Sequence, residues 1–347
     1  MKMRSAFFLC LLVAAISVAA CVSQTSPASS GAQTPALTNV KVAYLPVVSN
    51  GPLFIAYEEG YFARQGIDIE FVKFQSAAMA LPALINGDIA VSGGSLSPSL
   101  VNAITGGEHV RIVADKGRNS PGVCNASGIM VRRDLVENGT ITRVLDLKGR
   151  KIMANGDQVY RISRILKMGN LTMEDIELSN MDFASGVVAL RNGAIDAGDM
   201  TEPYVTQLLD DNTAVMLFPT EYSSPDYPTP LYYGPVFLDK DPELGRKFMV
   251  AYLEGVRQYN EGKTERNLEI LSNYTHLDRD LLKRSCWLPI DPSGDLPRKP
   301  VRDYIDWIYE NKKITKNPTD DQLFDMSYVN YANGVLANTT PGGKAAH

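Results

Sequence analysis

The chain has 347 residues, with 34 Lys and Arg against 39 Asp and Glu and a formal charge of −5 at pH 7. Loss of Lys2 and Arg4 with an N-terminal signal takes that to −7, which excludes non-specific nucleic-acid binding, since that depends on a basic surface. The same balance leaves capture of a small anion open, because local backbone dipoles can oppose the global charge.

Lys2 and Arg4 precede AFFLCLLVAAISVAA, an apolar run of signal-peptide length that ends in small residues and is short for a bilayer span. Val18-Ala19-Ala20-Cys21 resembles a lipobox, in which the cysteine is lipidated and becomes the new N-terminus; an ordinary secretory signal with Cys21 incidental is the alternative. Residues 1–20 are thus expected to be a lipoprotein signal peptide. VSQTSPASSGAQTPALT follows, poor in charge and in large apolar residues, so 21–39 is expected as a lipid-anchored flexible linker. No later segment is apolar for long enough to span a membrane. About 300 mature residues exceed one ordinary core and suggest two lobes.

From residue 40 the pattern alternates. VKVAYLPV reads as a strand, GPLFIAYEEGYFARQG as an amphipathic helix, IDIEFVKF as a strand and SAAMALPALINGD as a helix. DIAVS, LSPSLVNAITGG and VRIVADKG continue as strand, helix and strand, implying a mostly parallel sheet covered on both faces. After a connecting strand, GIMVRRD, a second series runs KIMANG, DQVYRISRILKMGN, IELSNM, FASGVVALRNGAID, AGDM, TEPYVTQLLDD and AVMLF. YYGPVFLD is expected to carry the chain back as a strand, and the rest is helical to about Ala337. Lobe 1 is accordingly expected from 40–129 and 236–340, and lobe 2 from 130–235. Cys10 leaves with the signal; Cys124 and Cys286 are expected as separate buried thiols, although export would permit a disulfide.

Gly93-Gly94-Ser95-Leu96-Ser97 matches the G-x-S-x-G nucleophile elbow at every position but the last. A Ser-His-Asp site would need a downstream histidine, and of His109, His276 and the terminal His347 only His276 qualifies. No Walker loop, dinucleotide fingerprint, H-E-x-x-H or paired C-x-x-C occurs. What remains are loops at the carboxyl ends of strands, where open α/β sheets bind ligands: Ser49-Asn50-Gly51, Gln75-Ser76 and Gly93 to Ser97 in the first lobe. Asn155-Gly156-Asp157-Gln158 and Asp199-Met200-Thr201-Glu202 take equivalent places in the second. Each leads to a helix start, where the same residues also serve as ordinary N-caps.

The order of these motifs resembles the substrate-binding proteins of ABC importers in the nitrate, sulfonate, taurine and thiamine-precursor group. The resemblance is carried by Gly60-Tyr61-Phe62, Gly66-Ile67-Asp68-Ile69-Glu70 and Gly87-Asp88-Ile89-Ala90, then by DLKGRKI, ALRNGAIDAGDMTEPYVTQLL and SCWLPIDPSGDLPRKPVRDYIDWIYENKKI. It implies an α/β, two-lobed periplasmic-binding-protein-like fold of type II, each lobe a mostly parallel sheet flanked by helices, with a hinge between them. It implies no catalysis, no cofactor and no metal, and a monomer that captures a small polar or anionic solute and delivers it to a permease with a cytoplasmic ATPase. Carried over by position, the contacts would be Asn50, Gln75, Ser95 and Ser97 from lobe 1, and Gly156, Asp157, Glu202 and Tyr204 from lobe 2. Thr201 stands where the family often has Trp, removing an aromatic wall. Affinity is expected from neutral dipoles rather than a buried counter-charge; Glu202 with Tyr204, Tyr232 and Tyr233 would instead suit an amine or a planar ring. The alternatives are an exported ligand-sensing lipoprotein and an enzyme related to thiamine-pyrimidine biosynthesis, against which export argues.

Overall fold

The computed structural model describes residues 36–339 apart from 121, 221–223 and 225. The expected signal peptide, the lipidation at Cys21 and most of the linker fall outside the described residues. The first strand begins inside the expected linker: β1 is Thr38–Tyr44, with Val40, Val42 and Ala43 buried.

Strand β1 pairs in parallel with β2 (Ile67–Lys73), in register from Thr38 with Ile67 to Tyr44 with Lys73, and with β3 (Val91–Gly93) on its other side. β4 (Arg111–Arg118) closes that end of the series. The second series supplies β5 (Ser127–Arg132), β6 (Lys151–Met153), β7 (Glu177–Ser179), β8 (Ala197–Thr201) and β9 (Ala214–Pro219). β10 (Pro228–Tyr233) returns to the first sheet. The sheets run β2-β1-β3-β10-β4 and β7-β6-β8-β5-β9. In each, four strands are parallel to one another and the strand in fourth place is antiparallel.

The return strand corrects the reading of YYGPVFLD. The chain rejoins the first sheet at Pro228, before the expected boundary at 236, and Val236–Lys240 is a π-helical turn. Pro228 and Pro230 lack N–H donors and would ordinarily bar a central strand; a register shift between them accommodates both. The first long helix is also divided, into Gly51–Glu58 and Tyr61–Arg64, because Gly60 takes a left-handed φ of 69°.

Two cores cover the first sheet. On one face Phe54, Phe248, Tyr252 and Tyr233 are fully buried beneath the helices Gly51–Glu58 and Pro242–Tyr259. On the other, Leu84, Val101, Tyr304 and Ile305 pack from the helices Ala77–Asn86, Pro98–Gly106 and Arg298–Glu310. Each such side chain contributes about 1.5–3 kcal/mol by leaving water. Cys124 and Cys286 are not separate thiols but a disulfide with Cα atoms 5.6 Å apart, joining the β4–β5 connection to a segment 162 residues later. Among the described residues no helix is long and apolar enough to cross a membrane.

Candidate ligand-binding cleft

The carboxyl ends of β1, β2 and β3 carry the loops that form one rim. Ser76 caps the Ala77–Asn86 helix, its hydroxyl accepting from Met79 N at 3.3 Å. Ser97 caps Pro98–Gly106 in the same way, accepting from Leu100 N at 3.2 Å, and meets Ser99 Oγ at 2.8 Å. Pro98 fits the first turn of that helix, where no amide hydrogen is needed. Between them Gly94 holds φ at 139°, which turns Ser95 toward the opposite rim. Among the described residues the Ser95 side chain has no hydrogen-bond partner, and the two histidines are remote in role: His109 pairs with Asp239, and His276 is an exposed residue ending a helix. Ser95 therefore lacks the base an elbow nucleophile requires.

The opposite rim comes from Asn155-Gly156 after β6 and Asn180 to Phe183 after β7. A side chain at Gly156 would begin 3.5 Å from the Leu96 carbonyl oxygen, so the two rims meet there. They enclose a cavity of about 450 Å³ lined by Gln75, Ser95, Ser97, Asn155, Gly156 and Phe183. A second cavity of about 80 Å³ adjoins it, sharing Leu45, Ser95 and Phe183, and is lined further by Ser49, Asn50, Lys116, Asn119 and Arg161. A larger groove of about 760 Å³ between the helices Gln158–Met168 and Arg298–Glu310 carries mixed charges and none of these loops.

The inner cavity contains the charge that sequence reasoning missed. Lys116 is 2% exposed and its Nζ donates to Ser49 Oγ at 2.8 Å; burial pushes its pKa down to about 7, against the pull of Asp115. Arg161 is also buried. Burial works against its charge, but Asp199 (Nε to Oδ2, 3.0 Å) and Asp157 (Nη1 to Oδ2, 3.5 Å) outweigh it and hold the guanidinium ionised. Burial raises Asp199, and Arg161 opposes that rise. The signal for Lys116 was local: Ile112, Ala114 and Lys116 share one face of β4, and all three are buried.

A family model described as "NMT1/THI5 like" matches residues 49–261. The chain belongs to the NMT1/THI5-like family. It is 25% identical over 260 residues to the bicarbonate-binding protein CmpA of Synechococcus sp., a match covering 69% of this chain and 58% of that protein. The matched part thus spans little more than half of that relative. The periplasmic nitrate-binding protein NrtA of Synechocystis shares the fold, with a TM-score of 0.73 and 17% identity over 89% of this chain and 92% of NrtA. The desulfurization enzyme DSZB shares it too, with a TM-score of 0.62 and 14% identity over 86% and 99% of the two chains. This NMT1/THI5-like chain has the two-lobed periplasmic-binding-protein-like architecture that its motifs implied.

Of the eight contacts carried over by position, the NMT1/THI5-like chain brings Gln75, Ser95, Ser97 and Gly156 to the outer cavity and Asn50, with Ser95 again, to the inner one. Asn50 spends its amide on the Leu45 carbonyl at 2.6 Å. Asp157, Glu202 and Tyr204 line neither cavity. Asp157 lies behind Arg161. Glu202, 6% exposed, accepts from Thr206 N (3.0 Å), Thr206 Oγ1 (2.8 Å) and Cys286 N (2.9 Å), which tie it to its own helix start and the disulfide; burial raises its pKa. Tyr204 stacks on Phe183 at 5.6 Å between ring centroids and 22° between planes. Phe183 thus supplies an aromatic wall where Thr201 does not, and Tyr204 backs it. Tyr232 and Tyr233 are core residues whose hydroxyls donate to the carbonyls of Gly94 and Gly245.

Proposed function

We propose that the chain is an extracytoplasmic solute-binding protein, held at the outer membrane face by lipidated Cys21, that captures a small polar or anionic solute between its two lobes and delivers it to an ABC permease. The observation that carries this reading is the meeting of two helix-capping rims, at Ser95-Leu96 and Gly156, around a cavity with polar and aromatic walls. Amides and hydroxyls at helix starts recognise oxygen-rich solutes, and exclusion of water on closure strengthens each hydrogen bond. Binding names among the relatives, for bicarbonate and for nitrate, support the same direction. Ser95 without a base supports capture rather than turnover.

Gln75, Ser95, Ser97, Asn50 and Gly156 form the proposed contact set; Asp157, Glu202 and Tyr204 act through the groups they hold. The reading is tested on the full chain, unfolded and refolded to remove any carried ligand, by thermal shift with nitrate, bicarbonate, methanesulfonate, taurine, a pyrimidine and a polyamine. At least one should raise the melting temperature, and Ser95→Ala should weaken that ligand by up to about tenfold, the worth of one hydrogen bond. Turnover of an ester with no solute shifting the melting temperature would end the capture reading.

A further inference from the structure

The inner cavity distinguishes among the solute classes left open by that reading. Its volume is about 80 Å³, several times the roughly 10–15 Å³ that one water requires, so it holds a molecule of a few heavy atoms. Its walls carry two buried basic side chains. Arg161 is answered by Asp157 and Asp199. Lys116 is not: among the described residues its Nζ meets only Ser49 Oγ and no carboxylate at ion-pair distance, which leaves two of its three donor positions without a protein partner. Asp115, its neighbour in sequence, is turned to other work, accepting from Gly117 N (3.0 Å) and Asp291 N (2.9 Å) beside Arg118. The remaining lining residues are uncharged, Ser49, Asn50, Ser95, Asn119 and Thr229 among them, and the Asn119 side-chain oxygen already accepts from Ser127 Oγ. A cationic amine would oppose protonation of Lys116 and find only its donors, and a neutral solute would leave no charge to answer an ammonium there.

We infer that Lys116 is the counter-charge of the site, so that the inner cavity takes a small singly charged oxyanion whose oxygens accept from Lys116 Nζ and the Asn119 amide. The inference rests on the capture reading and narrows it to anions. Proton uptake follows because burial lowers the amine to about 7, while an adjacent negative charge favours the ammonium form. For an anion ionised throughout, affinity should be nearly flat below pH 7 and fall about tenfold per pH unit above it.

The test is calorimetric titration of the refolded full chain with sodium nitrate, and separately with sodium methanesulfonate, in pairs of cationic buffers of different ionisation enthalpy at pH 6 and pH 8.5. The expected result is close to one proton taken up per anion at pH 8.5, close to none at pH 6, and binding to Lys116→Met weakened at least tenfold and insensitive to pH. Binding without proton uptake and with pH-independent affinity would overturn the inference, as would wild-type affinity in Lys116→Met. If that variant does not fold, proton uptake by the wild type decides alone. A polyamine or pyrimidine that binds where both anions fail refutes the anion inference and leaves capture standing; failure of every solute refutes capture itself.

Discussion

Lys116→Met should stabilise the ligand-free protein, and by an amount that depends on pH. An ordinary lysine titrates at 10.5, and Lys116 in the fold at about 7. Between these values the unfolded chain binds a proton that the folded chain does not, so stability rises with pH across the window. Below pH 7 the full cost is present: at about 1.36 kcal/mol per pH unit the gap amounts to roughly 5 kcal/mol. At pH 9 only the stretch from 9 to 10.5 remains, about 2 kcal/mol. Methionine removes both costs and, at every pH alike, the hydrogen bond to Ser49, worth about 1 kcal/mol. The gain over wild type should therefore be about 3 kcal/mol larger at pH 6 than at pH 9, or roughly 6 °C in melting temperature at about 2 °C per kcal/mol. Urea unfolding of both proteins at the two pH values, in cationic buffer after removal of ligand, measures it. An equal difference at pH 6 and pH 9 would refute the burial of an uncompensated amine.

Gly93→Ala would place a methyl 2.8 Å from Lys116 Cδ and 3.2 Å from the Pro230 carbonyl oxygen. We expect a loss of about 1–3 kcal/mol together with weaker nitrate binding, read by melting and titration; unchanged values would mean that the Lys116 stem does not cross Gly93. Gly334→Ala, by contrast, adds its methyl in open space within the helix Ser327–Thr339 and should gain about 0.5–1 kcal/mol in chemical denaturation. Opening the Cys124–Cys286 link by Cys286→Ser should cost about 2–5 kcal/mol, because it frees a long loop in the unfolded chain, and added reductant should then change the wild-type unfolding midpoint but not the variant's.

The strands and rims were legible because they depend on short-range pattern. Alternation marks β1, β2 and β4, and the capping residues Ser76 and Ser97 announce their helices. The return strand was expected too late in the chain because Pro228 and Pro230 carry no donors for a ladder, and only its two antiparallel neighbours, β3 and β4, make a strand of that stretch. Glu202 looked available because its position at a strand-to-helix turn fits a ligand contact; it is spent on Thr206, four residues on, and on Cys286, 84 residues away. The disulfide was illegible for the same reason; Lys116 carried a local signal in its alternation with Ile112 and Ala114, but its place in the cleft depends on the Ser49 loop, far away in the chain.

The pairing of β4 with β10 makes the second lobe an insertion in the literal sense. Arg118, the last residue of β4, stands opposite Pro228, the first of β10, so the chain leaves and re-enters the first sheet across a single rung. A tight hairpin turn in place of residues 119–227 would close that rung and keep all five strands of the first sheet. Such a shortened chain would lose Cys124, leaving Cys286 a free thiol, and would retain half of the cleft: Ser49, Ser95 and Lys116 without Arg161 or Gly156. The second lobe therefore hangs from the first sheet at one rung yet leaves part of itself inside the base: Tyr160 and Tyr227 are buried against Tyr304 in the core on one face of that sheet, so lifting the cover would open the packing beneath it.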